Sequence, residues 1–351
     1  MYAFRFAFFL GLSSTIFLYS ANPIPAQAPQ QPAANGAVAD ADIDSPSTTG
    51  AEWRQSIEAA LIAGKFDELD QLAEKYRSEK TRTRGGEWRL RDFYGALDAP
   101  QQTDKDTRDH LAHLEQWIKE RPQSMTARVA LATSLHRWAW VARGNGMANT
   151  VTPEGWKLFD ERIAKAYAVL DEAARLNLPM CPQWYSEMMV VGLAQGWNEN
   201  QMKVVFDQGI AAYPDYFYLY LQYANYLLPK WDGKPGESAA FARDSADRVG
   251  GDAGDDLYFQ IATKLIKHGD GGFPVDQMDW ERIQRGYQAD EAAYGSTRFR
   301  RNQMAYMAWK YRDKDFARRQ FDRIGDEWSR SVWGKRQLFD RARDWAQSHA
   351  S

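Results

Sequence analysis

Two short stretches of the sequence place a basic side chain where it could meet a ligand. Arg143 ends an aromatic-rich segment and precedes Gly144, and Lys230 and Trp231 follow a tyrosine-rich segment. A cation beside an aromatic face can bind an anionic or apolar group of a partner. Capping is the alternative, because basic side chains and glycine are favoured at helix C-termini. The candidate residues for ligand or partner binding are therefore Trp138, Arg143, Lys230 and Trp231.

Other reactive residue types lack the spacing that a metal or catalytic site needs. His110 and His113 share one helix face, but no further metal ligand lies near them in sequence. Cys181 is the only cysteine, so no intrachain disulfide forms, and His136 is the one base that its thiol could have. Aspartates near residues 106 and 255 suit helix starts rather than a calcium loop. We expect solvated histidines, a buried thiol, no metal, no cofactor and no catalytic residue.

The composition is that of a soluble globular protein. The 351 residues carry 44 basic and 47 acidic side chains, and this net charge of −3 favours neither nucleic acid nor an anionic membrane. Aromatic residues make up 14% of the chain, which suits wedges between helices as well as binding surfaces. There is no glycine-rich phosphate loop and no GxSxG nucleophile motif. The sequence thus favours a protein or peptide partner over nucleic acid.

The N-terminus has the features of an export signal. Arg5 precedes an apolar run over residues 6–18, and Ala26-Gln27-Ala28 has the small-x-small form of a cleavage site. The run is shorter than the roughly 20 residues that span a bilayer. We expect a signal peptide over residues 1–28 and a periplasmic or secreted mature protein. The alternatives are an inner-membrane anchor through residues 3–21 and a segment with no targeting role.

Two regions follow the predicted signal. Residues 29–50 are rich in Ala, Pro, Gln, Ser and Thr with little to bury, which predicts a disordered linker. Over residues 51–349, apolar side chains recur at helical spacing, beginning with Trp53, Ile57 and Leu61. No run alternates as a strand would. We therefore predict one all-α domain over residues 51–349.

The spacing of several residues favours repeated helical hairpins. Pro179 and Pro214 are 35 residues apart, and so are Phe206 and Phe241. These offsets resemble the tetratricopeptide pattern, although the full consensus is absent. We predict an irregular tetratricopeptide-like hairpin repeat, an α-solenoid in which each hairpin packs against the next.

The tyrosine-rich segment Ala211–Gly233 lies near the middle of this array. Its apolar and aromatic side chains point almost all the way round a helix, which is typical of a helix buried between neighbours. We expect Phe217 and Leu221 to be buried. Any function in this segment is then expected at its end, at Lys230 and Trp231.

Several ordered phrases resemble one bacterial family. They are Phe66–Leu69, Trp88–Tyr94, Trp117 with Arg121–Ser124, Trp138–Gly144 and Leu227–Gly233. In this order they are similar to the family catalogued as domain of unknown function 4034, over roughly residues 55–250. The resemblance implies a helical, tetratricopeptide-like fold in Gram-negative bacteria, and it implies no activity and no catalytic residue. Lys230 and Asp232 stand where the family often has Arg and Gly.

Together these observations favour an exported, non-enzymatic scaffold of the cell envelope that binds a peptide or protein segment. The hairpin stack offers a surface, and the surplus of Trp and Tyr offers contact groups. The alternative is a cell-envelope hydrolase with a carboxylate pair in the repeat groove, because 47 acidic residues offer many pairs. A purely structural role is a third hypothesis.

Overall fold

The computed structural model describes residues 48–98, 103–144, 146–231, 233–268 and 277–348. In these ranges the chain forms sixteen α-helices and one short 3-10 helix, at Ala148–Thr150, and no β-strand beyond an isolated bridge. The helices are α1 (Thr48–Ile62), α2 (Phe66–Ser78), α3 (Arg89–Leu97), α4 (Asp104–Glu120), α5 (Met125–Arg143), α6 (Pro153–Arg175), α7 (Pro182–Ala194), α8 (Glu199–Ala212), α9 (Tyr218–Tyr226), α10 (Glu237–Val249), α11 (Gly251–His268), α12 (Trp280–Tyr294), α13 (Arg298–Tyr311), α14 (Lys314–Ile324), α15 (Arg330–Trp333) and α16 (Arg336–Gln347).

The predicted signal and most of the predicted linker lie outside the described residues. α1 begins at Thr48, so helix starts within the last three residues of the segment predicted as linker, 29–50. The described residues belong to one compact unit. No helix among them is both long enough and apolar enough to cross a membrane.

Capping residues fix the starts of several helices. The Thr152 hydroxyl accepts a hydrogen bond from the Gly155 N–H at 3.0 Å, and Pro153 occupies the first turn of α6. The Ser124 hydroxyl accepts from the Ala127 N–H at 2.9 Å at the start of α5. These caps satisfy backbone N–H groups in the first turns of α5 and α6.

Helices that follow one another in sequence pack together, as α5 does with α6, α11 with α12 and α13 with α14. α9 also packs against α7 and α11, its second neighbours along the chain. The all-α prediction is confirmed. A tetratricopeptide-like solenoid remains a prediction.

The tyrosine-rich segment forms a shorter helix than its composition suggested. α9 spans only Tyr218–Tyr226 and buries Leu219, Tyr223 and Tyr226. Phe217 precedes the helix, and both Phe217 and Leu221 are only half-buried. The expectation that both would be buried is therefore wrong, because Leu221 lies two positions from Leu219 and faces another side of α9.

The two phenylalanines with the 35-residue spacing are in contact. The rings of Phe206 and Phe241, which are 35 residues apart in sequence, have centroids 5.4 Å apart. Tyr223 stacks on Phe206 at 4.5 Å and meets Phe241 at 5.1 Å. These three rings form the packing between α8, α9 and α10.

A tight hairpin between α2 and α3, which we call the 81–88 hairpin, reaches the C-terminal helices. Its two arms are joined by the Thr83 N–H donating to the Glu87 carbonyl at 2.8 Å. Gly85 and Gly86 at its tip have φ of 82° and 79°. A Cβ on Gly86 would lie 2.7 Å from an Asp290 oxygen, so only glycine fits this approach to α12.

Glycine also sets how closely α11 and α12 approach. A Cβ on Gly286 would lie 2.0 Å from the Asp255 carbonyl oxygen and 2.7 Å from the Phe259 Cβ. We expect Gly286→Ala to lower the free energy of unfolding by about 1–3 kcal/mol or more, because the helices must move apart. Urea unfolding followed by circular dichroism measures this change.

Gly95→Ala is the matched control. Gly95 lies inside α3, and a Cβ there would meet no atom within 4 Å. The same change should raise the free energy of unfolding by about 0.5–1 kcal/mol through helix propensity. Equal effects at both positions would contradict the close α11–α12 contact.

Candidate functional site

The end of the α5–α6 hairpin carries a cluster of indoles and guanidinium groups. The Trp138 indole N–H donates to Asp104 Oδ1 at 3.0 Å, and the Arg162 guanidinium carbon lies 3.4 Å from the centroid of the Trp138 ring. Arg162 Nη1 also donates to the Trp138 carbonyl at 2.7 Å, and burial lowers the pKa of Arg162. The indole N–H of Trp138 is thus held by α4, and one face of its ring is covered by Arg162 of α6.

Arg143 contacts a second pair of indoles. Its guanidinium carbon lies 5.6 Å from the Trp140 ring and 5.7 Å from the Trp156 ring, and both rings meet Phe159 edge-on. A glycine lets the two helices come close enough for this, since a Cβ on Gly155 would lie 2.8 Å from the Ala142 carbonyl. The aromatic contact of Arg143 is therefore with Trp140 and Trp156.

Arg143 also has the capping role that the sequence offered as the alternative. Its Nη1 donates to the Gly144 carbonyl at 3.2 Å and to the Gly146 carbonyl. Its Nε and Nη2 have no hydrogen-bond partner within the described part of the chain. One edge of the guanidinium is used by the loop, and the other edge is available to a ligand.

Two large apolar side chains close to Arg143 in sequence are exposed to solvent. Val141 and Met147 are 73% and 78% exposed, the highest values among the large hydrophobic residues that the structure describes. Trp140 and Trp156 are half-buried against the core. We call the five residues Trp140, Val141, Arg143, Met147 and Trp156 the α5-end surface.

Lys230 and Trp231 lie in the turn after α9. The Lys230 Nζ is 5.7 Å from the Trp231 ring, and the Trp231 N–H donates to the Leu228 carbonyl at 2.9 Å. The indole is half-buried, and its Nε1 has no hydrogen-bond partner in the described residues. The described contacts of Arg143 involve α5, α6 and their loop, and those of Trp231 involve its own turn and the hydrophobic core. They do not join the two predicted pairs into one site.

His110, His136 and Cys181 contact residues of the protein interior rather than forming a catalytic or metal site. His110 is buried, which lowers its pKa, and its Nε2 lies 3.5 Å from the Ser134 hydroxyl; the expectation that it is solvated is wrong. The Cys181 thiol is buried 3.6 Å from the Tyr94 hydroxyl. His136 hydrogen-bonds to Glu187 instead. The described residues hold no cluster of three or more groups suited to a metal ion.

The structure brings together a carboxylate pair that the sequence did not indicate. Gln260 Nε2 donates to Asp256 Oδ1 at 3.1 Å and to Asp290 Oδ1 at 3.2 Å, so one amide bridges α11 and α12. Burial raises the pKa of Asp256 to about 6 and raises that of Asp290 as well. These aspartates are 34 positions apart, and only the packing of α11 on α12 unites them.

A buried arginine links this pair to the 81–88 hairpin. Arg300 Nη2 donates to the Gln260 Oε1 at 2.6 Å, to the Gly85 carbonyl at 3.2 Å and to Glu87 Oε1 at 3.1 Å. Its Nε lies 3.8 Å from Asp290 Oδ2. We call Glu87, Asp256, Gln260, Asp290 and Arg300 the Arg300 network.

The raised pKa of Asp256 predicts an unusual pH dependence of stability. Between the ordinary pKa of 3.8 and about 6, the folded chain retains a proton that the unfolded chain has lost. Raising the pH through this window therefore lowers the free energy of unfolding, by about 1 kcal/mol between pH 5 and 7 for this group alone. Asp92 and Asp98, whose pKa burial raises to about 7, act in the same direction.

Urea unfolding from pH 5 to pH 7 tests this expectation. Asp256→Asn should reduce the loss of stability with rising pH, whereas Asp252→Asn, at an exposed position of the same helix, should leave it unchanged. An Asp256→Asn variant with the slope of the wild type would show that Asp256 carries its charge in the folded protein at pH 5.

Comparison with known proteins gives one finding. Residues 53–177 match the family described as "Domain of unknown function (DUF4034)". The match ends just after α6, so it includes the 81–88 hairpin and the α5-end surface but not Leu227–Gly233, and it is shorter than the resemblance over 55–250 predicted from the sequence. Comparison with curated proteins and with solved structures gave no significant match. The chain thus resembles this family of unknown function across α1–α6.

Proposed function

We propose that this protein is an exported helical-repeat scaffold that binds a peptide or protein segment at the α5-end surface and catalyses no reaction. The observation that carries the proposal is that Val141 and Met147, two and four positions from Arg143 in sequence, are exposed at the end of α5, where Arg143 contacts two indoles. Exposed apolar groups of this size next to Trp and Arg are typical of binding surfaces. The surface also lies within the segment that matches the family.

The α5-end surface is held in place before a partner arrives. Trp140 and Trp156 are fixed edge-on against Phe159, and Arg143 is fixed by the loop carbonyls that it caps. A surface whose side chains are already ordered loses less conformational entropy on binding. Complete burial of Met147 by a partner would contribute about 1.5–3 kcal/mol.

The charge of the surface indicates the chemistry of the partner. The open edge of Arg143 suits a carboxylate, which guanidinium groups bind with paired hydrogen bonds. Val141 and Met147 suit an apolar side chain next to that carboxylate. We therefore propose a segment that combines an apolar residue with an adjacent acidic one.

The remaining parts of the proposal rest on the sequence. Residues 1–28 would direct export to the periplasm or the medium, or anchor the chain through residues 3–21, and 29–50 would serve as a tether. The helices would stack as irregular tetratricopeptide-like hairpins. Lys230 and Trp231 would add a second contact on the same partner or on another.

Selection from a random peptide library on the purified protein tests the proposal. We expect the selected peptides to share an apolar residue next to Asp or Glu. Met147→Ser and Arg143→Ala should each weaken binding of a selected, fluorescently labelled peptide about tenfold or more, measured by fluorescence anisotropy.

The matched control is Ile62→Ser. Ile62 is another exposed apolar residue, 57% exposed at the end of α1, far along the chain from the α5-end surface. This change should leave peptide affinity unchanged. Equal affinities for the wild type and the Met147→Ser variant, with both proteins folded, would remove the surface from the proposal.

The hydrolase alternative gains a specific observation from the Asp256–Asp290 pair. Two carboxyl groups bridged by one amide, with raised pKa values, resemble the acid and base groups of glycoside hydrolysis. Both are buried, however, and neither lines the cavity at Arg298 and Trp328 or the one at Tyr287 and Arg323. Of the three carboxylates in the Arg300 network, Glu87 has the most exposed side chain, at 29%. We therefore favour a structural role for the pair.

Incubation with purified peptidoglycan distinguishes the two functions. The scaffold proposal predicts no release of soluble reducing ends above that of a heat-treated sample. Release by the wild type that is lost in folded Asp290→Asn and Asp256→Asn variants would establish the hydrolase.

A further inference from the structure

Arg137 is a second exposed arginine of α5, and it does not belong to the α5-end surface as defined above. Its side chain is 55% exposed, and its Nε lies 2.5 Å from Oδ2 of Asp98, the residue that ends α3. It precedes Val141 by four positions, so the two side chains are neighbours on the helix surface. Arg137 therefore adjoins the α5-end surface.

Helix geometry places Arg137 and Arg143 on either side of Trp140. The three residues follow one another at intervals of three positions within α5, and side chains at that spacing form one row along a helix. The Arg143 guanidinium contacts the Trp140 ring from one end of this row. The two arginine Cα atoms are about 10 Å apart, as six residues of α-helix require. The row thus consists of a cation, an indole and a second cation.

The Asp98 carboxylate holds the Arg137 guanidinium in place without enclosing it. Asp98 is buried, and the packing of α3 against α5 sets its position. A guanidinium group carries five N–H donors in one plane, so the exposed part of Arg137 can bind a further carboxylate. Arg137 is ordered before a partner arrives, as Arg143 is by its loop carbonyls.

Burial makes Asp98 a weak counter-charge for Arg137 near neutral pH. It raises the pKa of Asp98 to about 7, and the Glu187 carboxylate of α7 adds to this rise. Three groups of α5 oppose the rise, namely Arg137, His136 and the Ser134 hydroxyl. Asp98 is therefore ionised at pH 8 and largely protonated at pH 6. The charge of Arg137 is compensated at the higher pH and uncompensated at the lower.

We propose that Arg137 binds a second acidic residue of the segment that the α5-end surface binds. This proposal extends the function proposed above and rests on it. The first acidic residue would bind Arg143, its apolar neighbour would pack on Val141 and Met147, and the second would bind Arg137 beyond Trp140. An extended chain rises about 3.3 Å per residue, so about 10 Å corresponds to a spacing of three positions, and the long arginine side chains allow two to four.

The peptide-library selection on the purified protein gives the first test. We expect the selected peptides to carry a second Asp or Glu two to four positions from the first. Arg137→Ala should weaken binding of such a two-acid peptide about fivefold, measured by fluorescence anisotropy. Replacing the second acidic residue of the peptide by its amide should cost the same factor with the wild type and nothing further with Arg137→Ala.

The matched control is Arg175→Ala. The Arg175 side chain is 61% exposed and forms an ion pair with Asp171 at 3.0 Å, much as Arg137 does with Asp98. Arg175 ends α6 and lies roughly 30 Å along that helix from Trp156 of the α5-end surface. This change removes the same charge from the protein and should alter peptide affinity less than about twofold.

Asp98→Asn gives a result that a merely structural Arg137 would not. The amide is nearly isosteric and carries no charge, so at pH 8 this change should strengthen binding of the two-acid peptide about threefold or more. At pH 6, where Asp98 of the wild type is itself protonated, the two proteins should bind alike. Any protonation of His136 is common to both proteins, so the difference between them belongs to Asp98.

Three outcomes would overturn the role of Arg137. They are selected peptides without a second acidic residue, equal affinities of the wild type and Arg137→Ala for the two-acid peptide, and no strengthening by Asp98→Asn at pH 8. In each case, weakening by Met147→Ser would still support the α5-end surface. A folded Met147→Ser variant that binds as tightly as the wild type would instead remove the surface, and the role of Arg137 with it.

Discussion

The hydrogen bonds of the buried Arg300 guanidinium are the interaction on which the packing of the 81–88 hairpin against the C-terminal helices depends. A charged group enclosed in protein destabilises the fold by several kcal/mol unless hydrogen bonds and opposite charge compensate it. Arg300 obtains them from Gly85 and Glu87 near the start of the described chain and from Gln260 in α11. These partners are up to 215 positions away, so the guanidinium is compensated only when the 81–88 hairpin reaches α11–α13.

This constraint connects the family-like part of the chain to the rest. The 81–88 hairpin lies within the segment that matches the family, but the groups it contacts lie beyond the end of that segment. Arg82 donates to the Asp215 carbonyl at 3.1 Å, and the Trp88 and Tyr216 ring centroids are 4.9 Å apart, so the segment between α8 and α9 contacts the same hairpin. The part of the chain that contains α1–α6 is therefore packed against helices of the C-terminal half through this hairpin. The α5-end surface belongs to the same compact unit as these C-terminal helices.

Local patterns in the sequence sufficed for the features that depend on neighbouring residues. Helical spacing predicted the all-α class, and Phe206 and Phe241, whose 35-residue spacing the sequence shows, are in contact. The sequence also indicated that Arg143 acts with indoles. It could not show that these are Trp140 and Trp156, because they come from two helices whose approach depends on Gly155.

Features that depend on distant residues were missed for physical reasons. No periodicity relates Asp256 to Asp290, and the burial of His110 follows from helices that pack around it. Phe217 was misjudged because α9 begins after it, and Leu221 because it faces a different side of α9 from the buried Leu219.

Hydrogen exchange of the Thr83 and Arg89 amides tests the central claim most directly. Both amides are bonded within the 81–88 hairpin, to the Glu87 and Thr81 carbonyls at 2.8 and 2.9 Å. If the hairpin is tied to the C-terminal helices through Arg300, these amides should exchange only as slowly as those in the centre of α12, through unfolding of the whole unit. Rapid exchange of the hairpin amides while α12 stays protected would show that the two halves are not joined in this way.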